Sequence, residues 1–145
     1  MRFKKILASV LTVACLFTCF TVTASAKNIS TYSAGDTASP LYKIATSVSS
    51  TLGFTGTTAY CVSQADGINT VQITVVQTLQ KYSGWFWIWD DVTSWTKTVN
   101  LNSLHLSSSK SGLSSGKYRV KSVFTLTDKN GKTETLTIYS TTESI

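Results

Sequence analysis

The sequence predicts an all-β domain built as a sandwich of two sheets with about seven strands. Three observations support this prediction. From residue 41 onward, nearly every segment alternates apolar and polar side chains with period two, as a strand with one buried face requires. The β-branched residues threonine, valine and isoleucine are abundant, and they suit a pleated strand better than a helix. No segment beyond residue 40 shows a sustained helical repeat.

The first 26 residues have the pattern of a helical signal peptide. A segment with three basic residues at positions 2–5 precedes an apolar, uncharged run at residues 6–22. The run ends at Thr23-Ala24-Ser25-Ala26, which places alanine at the two positions where signal peptidase accepts only small side chains. We therefore expect cleavage after Ala26 and secretion of a mature chain without a transmembrane anchor.

An uncleaved membrane anchor and a lipoprotein signal are the alternatives for this segment. The apolar run at residues 6–22 is at the short limit for a membrane span, and threonines dilute it. A lipidated cysteine requires an aliphatic residue three positions before it and a small residue directly before it. Cys15 and Cys19 each lack one of these residues, so ordinary secretion is the preferred interpretation.

Cleavage would leave a nearly neutral chain of 119 residues, long enough to bury the core of one domain. Three basic residues leave with the signal peptide, so 10 basic residues face 7 acidic ones and the net charge falls from +6 to +3. This mild, scattered charge does not predict a nucleic-acid partner. Cys61 is the one cysteine beyond residue 26, which excludes an intrachain disulfide and is more typical of a Gram-positive bacterial secretome than of an animal one.

The mature chain divides into a polar segment at residues 27–40, which we expect to be a flexible lead-in, and a β-sandwich domain at residues 41–145. Within the domain, Asp66-Gly67 is a turn signal between two alternating segments. About seven such segments at this spacing favour a two-sheet sandwich. The predicted strands are 41–54, 57–65, 69–82, 86–99, a short one near 101–106, 117–127 and 132–141.

The alternation also predicts which side chains face the core. In the second strand, Ala59 and Cys61 take the face opposite to Tyr60 and Val62. The other predicted strands follow the same rule, with every second residue apolar. The positions with shared parity are Tyr42, Ile44, Val48, Leu52 and Phe54 in the first strand, Val71, Ile73, Val75 and Leu79 in the third, Tyr118, Val120, Phe124 and Leu126 in the sixth, and Leu136 and Ile138 in the last.

The register of the last hairpin follows from the same faces. A two-residue turn at Asn130-Gly131 would direct Leu136 and Ile138 away from the core. A three-residue loop, with a type I turn and Gly131 in the left-handed conformation, pairs Phe124 with Leu136 instead. It also places Ser122 opposite Ile138. We predict the three-residue loop.

The segment before the sixth strand indicates the type of sandwich. Residues 113–120, Leu-Ser-Ser-Gly-Lys-Tyr-Arg-Val, have the pattern L-x-x-G-x-Y-x-V of the tyrosine corner in immunoglobulin-like domains. There, the hydroxyl of the tyrosine, Tyr118 here, bonds to backbone just upstream. Val120 stands where an antibody domain has its second cysteine, and Cys61 lies on an early strand, as the first one does. We therefore expect an immunoglobulin-like (fibronectin-like) sandwich without the disulfide.

No constellation of residues in the sequence predicts catalysis. The single histidine, His105, has no nucleophile and acid of a catalytic triad around it, and we interpret it as a partly exposed loop or edge residue. Cys61 has apolar neighbours, so we expect a small core residue. Asp90 and Asp91 are adjacent, and on a strand they would point to opposite faces rather than form an acid/base pair. Metal-site spacings are also absent, so we predict a non-enzymatic domain without a metal or cofactor.

The distinctive segment is Trp-Phe-Trp-Ile-Trp-Asp-Asp at residues 85–91. In an extended strand, Trp85, Trp87 and Trp89 would fall on one face, about 6.5 Å apart. Such a row would stack against sugar rings, with Asp90 or Asp91 accepting hydrogen bonds from sugar hydroxyls. It would equally suit a membrane interface or the pocket of a partner protein.

Structural packing competes with binding as the interpretation of these tryptophans and is slightly favoured, because a sandwich needs large residues between its sheets. The three tryptophans of the row and the pair Phe86 and Ile88 cannot all be inside. One set must therefore be exposed, unless the segment is a bulged loop. Trp95, a few residues further on, we expect to be buried.

Several short elements spread over the mature chain carry a resemblance to a known family. They are Ala38-Ser39-Pro40-x-Tyr42, Ala59-x-Cys61, Leu79-Gln80-Lys81, Ser94-Trp95, Gly116-x-Tyr118-Arg119-Val120 and Gly131-Lys132-x-Glu134-Thr135. With these elements, the run from Ala38 to Ser140 resembles an uncharacterised family, a domain of unknown function, of small secreted proteins from Gram-positive (Firmicutes), often gut, bacteria. The resemblance implies a compartment and a domain boundary, but no activity.

Export, the sandwich pattern and the aromatic segment together favour a secreted, non-enzymatic binding or interaction domain. We expect its partner to be a glycan, the cell wall or a surface protein, bound through residues 85–91. A bacteriocin-like or membrane-active effector is the alternative, because mild positive charge and exposed tryptophans suit an anionic membrane surface. An enzyme is the third hypothesis, and it depends on what surrounds His105.

Overall fold

The alternating segments form eight strands in the computed structural model, which describes residues 42–84 and 86–145. No helix able to cross a membrane is found among these residues. The predicted signal peptide and lead-in, residues 1–40, lie outside the described residues. In chain order, the strands are β1 (Ala45–Thr55), β2 (Thr58–Gly67), β3 (Thr70–Ser83), β4 (Ile88–Val99), β5 (Ser103–Lys110), β6 (Lys117–Asp128), β7 (Thr133–Tyr139) and β8 (Glu143–Ser144).

The strands form two antiparallel sheets, which confirms the prediction of an all-β fold with two sheets. A three-stranded sheet has the order β1-β2-β5. A five-stranded sheet has the order β4-β3-β6-β7, with β8 paired to the start of β6. The sequence predicts about seven strands and misses β8, because its two residues are too few to show an alternating pattern.

The core consists of two apolar clusters, and each combines residues of both sheets, as in a sandwich. The first contains Ala65 of β2 together with Val75 of β3 and Phe124 of β6. The second contains Cys61 of β2 together with Leu79 of β3 and Val120 of β6. Its buried members are Leu52, Ala59, Cys61, Leu79, Leu113, Tyr118 and Val120.

A row of polar side chains lies between the two clusters along the strands. Its members, Ser50, Ser63, Gln77 and Ser122, share one level, since Ser50 pairs with Ser63 and Gln77 pairs with Ser122. Gln77 Nε2 donates to Ser63 Oγ at 2.6 Å. The Ser122 hydroxyl lies 2.7 Å from that of Ser63 and 2.9 Å from that of Ser50. Because β2 and β6 belong to different sheets, this polar row joins the sheets by hydrogen bonds.

A bulge changes the predicted faces at the start of β3. The pairing of β3 with β6 shifts register between Thr70 and Gln72. The shift leaves Val71 exposed and buries Thr70, so the predicted inward position of Val71 is wrong. At the far end of the three-stranded sheet, β5 runs to Lys110 rather than to residue 106, because its serine-rich half still pairs with β2.

The carboxylate of Glu134 on β7 holds the entry to β1. Its Oε1 accepts the backbone N–H of Lys43 at 2.9 Å, and its Oε2 accepts those of Ile44 and Ala45 at 2.8 and 2.9 Å. These N–H groups bond to a side chain rather than to a strand, and β1 begins at Ala45 instead of residue 41. Burial opposes ionisation of Glu134, but the three N–H groups outweigh it and lower the pKa of the carboxyl below its ordinary value.

The hairpin of β6 and β7 has the predicted register. Phe124 pairs with Leu136, and Ser122 pairs with Ile138. Gly131 has a φ of 78°, and its N–H donates to the carbonyl oxygen of Asp128 at 3.0 Å, which closes the turn. The three-residue loop is therefore confirmed.

Candidate functional site

The aromatic segment forms the connection between β3 and β4 rather than the start of a strand. β3 ends at Ser83 and β4 begins at Ile88. Phe86 and Trp87 lie in the connection with φ values of 66° and 60°. The predicted strand over 86–99 is therefore wrong at its beginning, and Trp87 does not share a strand face with Trp89. Trp85 lies outside the described residues.

The side chains at this connection are exposed to solvent. Phe86 is 76%, Trp87 85% and Ile88 50% exposed. A left-handed backbone costs a residue with a side chain about 1–2 kcal/mol, and a turn of this kind ordinarily carries glycine or asparagine. Two consecutive aromatic residues therefore occupy backbone conformations that cost free energy. Because both side chains are exposed, burial of their apolar area does not offset that cost. Such a combination points to a use for the exposed rings.

The connection projects beyond the five-stranded sheet. The pairing of β3 with β6 ends at Lys81, opposite Tyr118. The pairing of β3 with β4 continues to Tyr82, opposite Trp89, and to Ser83, opposite Ile88. Residues 82–84 and 86–89 thus belong to the end of a two-stranded hairpin, and we call Phe86, Trp87 and Ile88 the aromatic tip.

Trp89 lies directly behind the aromatic tip, on the outer face of the five-stranded sheet. It is half-buried, and its ring centroid is 5.3 Å from that of Tyr82, at an interplanar angle of 58°. The guanidinium carbon of Arg119 lies 4.1 Å from the Trp89 ring centroid. The Trp89 ring is therefore engaged by protein groups, and it does not provide the open platform that the sequence predicts for it.

Arg119 on β6 is stacked between two aromatic rings. Its guanidinium carbon lies 4.1 Å from the Trp89 ring centroid and 4.3 Å from the ring centroid of Tyr139 on β7. Its Nε donates to Gln80 Oε1 at 2.9 Å. Gln80 Nε2 in turn donates to Asp91 Oδ1 at 2.7 Å, so the amide links the carboxylate to the guanidinium.

The predicted ligand residues Asp90 and Asp91 lie on opposite faces of β4, as their adjacency requires. Asp91 pairs with Gln80 and faces outward towards Arg119, with one carboxylate oxygen bonded to Gln80. Asp90 is exposed and pairs with Lys81, whose register places it on the other face. Only Asp91 therefore belongs to the same surface as Trp89.

The structure adds Tyr82, Arg119 and Tyr139 to the residues found by sequence. We call Tyr82, Trp89, Arg119 and Tyr139 the stacked cluster; it lies on the outer face and adjoins the aromatic tip along the chain at Trp89. The stacked cluster and the aromatic tip together are the aromatic surface. The sequence contains one indication of the stacked cluster: Arg119 and Tyr139 alternate with inward-facing residues of their strands, so both are predicted to face outward. That alternation gives the face, but not which residues of neighbouring strands meet on it.

The residues assigned structural roles occupy core or turn positions. Trp95 is expected to be buried, but it is half-buried. It lies on the edge strand β4, where a neighbouring strand, β3, covers it from one side only, and it packs against the second apolar cluster. Tyr118 is 1% exposed, and its hydroxyl donates to the carbonyl oxygen of Ser114, as a tyrosine corner requires.

Cys61 is buried as a free thiol within the second apolar cluster. Burial raises its pKa to about 12, so the thiol stays protonated near neutral pH. His105 lies exposed on the edge strand β5, where its Nδ1 is 2.8 Å from Gln64 Nε2. The structure does not bring these two residues together.

Among residues 42–84 and 86–145, no cluster of histidine, cysteine, aspartate or glutamate side chains could hold a metal ion. A shallow depression of about 610 Å³ lies at the opposite end of the sandwich, at the turn between β6 and β7, and none of its lining residues belongs to the aromatic surface. Comparison of the chain with protein-family models and with curated proteins finds no match.

Proposed function

We propose that the protein is a secreted, non-enzymatic binding domain that engages glycans through the aromatic tip. The observation that carries this proposal is the exposure of Phe86 and Trp87 at left-handed backbone positions on a projecting hairpin. The indole of Trp87 offers a flat apolar face for the C–H face of a sugar ring. Half-exposed Tyr139 and the polar groups beside it lie on the same surface and suit hydrogen bonding to sugar hydroxyls.

The domain type that we propose for this function is an immunoglobulin-like, fibronectin-like sandwich. Its support is the strand order, β1-β2-β5 against β4-β3-β6-β7, together with the hydrogen bond from Tyr118 to Ser114. Such a scaffold presents hairpin connections at its ends, where they are free to contact a partner. Secretion is supported by the signal-peptide pattern of residues 1–26.

A glycan array with the purified protein and its Trp87→Ala variant tests the proposal. We expect binding to a set of glycans that falls about tenfold in Trp87→Ala, because stacking on an aromatic ring contributes about 0.5–1.5 kcal/mol beyond the apolar area that it buries, and about 1.4 kcal/mol corresponds to a tenfold change. Tyr60→Ala is the matched control: Tyr60 is 48% exposed, but it lies on β2 in the other sheet. Equal binding by wild type and Trp87→Ala, or no glycan bound at all, would contradict the proposal.

A membrane surface is the second candidate partner. The observation that favours it is the run of three exposed apolar residues, Phe86, Trp87 and Ile88, at the end of the hairpin that extends past the pairing of β3 with β6. Tryptophan is enriched at membrane interfaces, and a projecting tip enters a bilayer surface more readily than a flat sheet does. Co-sedimentation with vesicles of anionic lipid, lost on Trp87→Ala and without glycan binding, would favour this candidate over the glycan.

A further inference from the structure

The guanidinium of Arg119 is the one cationic group of the aromatic surface that is held in a fixed orientation. Its guanidinium carbon lies 4.1 Å from the ring centroid of Trp89 and 4.3 Å from that of Tyr139, and these rings come from strands on opposite sides of β6 in the sheet. Its Nε is bonded to Gln80 Oε1 at 2.9 Å, and Gln80 is 6% exposed, so the amide itself is held firmly. An arginine side chain that is immobilised in this way loses little conformational entropy when a ligand binds to it.

The terminal nitrogens of this guanidinium are available to a ligand. Among the described residues, the hydrogen bond of Arg119 to another side chain is made through Nε, which leaves the Nη1 and Nη2 edge without a protein acceptor. That edge presents parallel N–H groups whose spacing matches the two oxygens of a carboxylate or phosphate. A neutral hydroxyl would use one of these donors and leave the others unpaired.

The charged neighbours of Arg119 on this face are Asp91 of β4 and two lysines of β6, Lys117 and Lys121, which flank Arg119 with the same outward parity. Asp91 Oδ1 accepts from Gln80 Nε2 at 2.7 Å, so the amide separates this carboxylate from the guanidinium. Lys121 lies two residues further along β6 with the same outward parity, and pairs with Tyr139 of β7. Its positive charge adds to the attraction for an anion approaching this end of the sheet.

We infer that Arg119 binds an acidic group of the glycan, so that the ligand class is a polysaccharide carrying carboxylate or phosphate groups. This inference rests on the proposed glycan-binding function. Trp87 would stack on one sugar ring while Arg119 holds the oxyanion of the same or the next residue. Trp89 and Tyr139 act as positioning residues, because they orient the guanidinium rather than stack on sugar.

Three polysaccharides separate the acidic group from the sugar backbone in a binding experiment. Polygalacturonate carries a carboxylate on each residue, its methyl-esterified form has the same backbone without the charge, and a phosphomannan carries phosphate on sugar rings. We expect the purified protein to bind at least one of the two anionic polymers at least about tenfold more tightly than the methyl ester at physiological ionic strength. Preference for polygalacturonate would assign a carboxylate ligand, and preference for phosphomannan a phosphate.

Arg119→Gln should lose this preference and retain the weaker binding of the methyl ester. Arg119→Lys should lose most of it as well, because an ammonium lacks the planar pair of donors. Lys121→Gln is the matched comparison, since it removes the same charge on the same strand and face. It should weaken the preference much less than Arg119→Gln, because it removes long-range attraction but not the paired donors. Far-ultraviolet circular dichroism and thermal unfolding of each variant verify that it is folded.

Each outcome decides between the two proposals. Equal affinity for esterified and free polymers, or equal losses in Arg119→Gln and Lys121→Gln, would overturn the role of Arg119 and leave the glycan-binding function standing. Absence of binding to all three polymers, together with an empty glycan array, would overturn both. Loss of anion preference in Arg119→Gln alone supports the inference.

Discussion

The hydroxyl of Tyr118 donates a hydrogen bond of 2.6 Å to the carbonyl oxygen of Ser114, four residues earlier in the chain. The bond closes the turn that leads into β6, and the Tyr118 ring packs edge-on against Phe54 of β1 at a centroid distance of 5.7 Å. One side chain therefore fastens a loop to its own strand and also links the two sheets. Arg119 follows Tyr118 directly and faces outward, so the hydrogen bond that fixes Tyr118 also fixes the position of the Arg119 backbone on the outer face.

Tyr118→Phe should destabilise the fold by about 1–2 kcal/mol, because it removes the hydrogen bond and leaves the Ser114 carbonyl without this donor, while the ring packing remains. Urea unfolding followed by tryptophan fluorescence measures the change. Tyr139→Phe is the control, since the Tyr139 side chain is half exposed on the outer face and should change stability by less than about 0.5 kcal/mol. Equal effects of the two substitutions would show that the corner does not stabilise the domain.

Trp87→Gly should stabilise the fold while abolishing ligand binding. Glycine adopts a φ of 60° without the steric cost that tryptophan incurs, so we expect a gain of up to about 1 kcal/mol in the free energy of unfolding. Trp87→Ala removes the same ring but keeps a side chain at the left-handed position, and it should lose binding without that gain. Destabilisation of both variants by a similar amount would mean that the Trp87 ring packs as a structural element.

Stability should decrease on the acidic side, in part through Glu134. Its pKa in the folded state lies below its unfolded value of about 4.3, so its stabilising effect is complete above that pH. The effect is lost as the pH falls towards the folded-state pKa, where the carboxyl is protonated in both states. Unfolding measured between pH 7 and pH 3 should therefore show a smaller pH dependence in Glu134→Gln than in the wild type.

Glu134→Gln should lower the free energy of unfolding by about 1–2 kcal/mol at neutral pH, because three backbone N–H groups lose a charged acceptor. Glu143→Gln provides the control, since Glu143 accepts from the exposed Thr141 hydroxyl at 3.3 Å rather than from buried backbone. If the free energy of unfolding of Glu134→Gln fell between pH 7 and pH 3 as much as that of the wild type, Glu134 would be excluded as a source of the pH dependence.

The polar row predicts opposite effects for two of its members. Ser122→Ala removes two hydrogen bonds, a buried one to Ser63 and a part-buried one to Ser50, and should cost about 1–2 kcal/mol. Gln77→Met removes one hydrogen bond together with Gln77 Oε1, a buried acceptor without a protein donor in the described part of the chain. Because the two side chains are similar in volume, Gln77→Met should be close to neutral or stabilising. A larger loss in Gln77→Met than in Ser122→Ala, measured by urea unfolding, would contradict this reading.

Cys61 should resist thiol reagents as long as the domain is folded. The thiol is buried and its pKa is raised to about 12, so the reactive thiolate is scarce and inaccessible. Alkylation of the mature protein followed by peptide mass spectrometry measures this, because Cys61 is the one cysteine beyond residue 26. Its labelling should appear only with urea concentrations that unfold the domain, and rapid labelling in native buffer would contradict its core position.

Where side chains alternate strictly, the sequence was sufficient to predict the structure. Ala59 and Cys61 are buried opposite exposed Tyr60, and the pairing of Phe124 with Leu136 follows from the requirement that apolar residues share a face. The prediction failed at Val71, because a bulge adds one residue to the strand and reverses the faces before it. Period-two counting contains no information about where a bulge falls.

The candidate site was predictable only in part, because residue types are visible in the sequence but the turn and the contacts between strands are not. Trp87 and Trp89 are found from their residue type, but the chain reverses at Phe86 and Trp87 without the usual Asn-Gly signal, so the turn resembles a continuing strand. The stack of Arg119 between Trp89 and Tyr139 combines β4, β6 and β7. Its recognition requires the order and register of strands that are far apart in the chain.

Beyond Lys81, the strand pairing of the hairpin in the described part of the chain is between β3 and β4 alone, and Trp89 contacts Arg119 of β6. The aromatic tip ahead of Trp89 can therefore change in sequence without repacking the sandwich. Exchanging this tip for another turn of equal length, with Tyr82 and Trp89 kept, should alter what the protein adheres to and leave its folding unchanged. The same separation would allow ligand preference to diverge rapidly among proteins that share this scaffold.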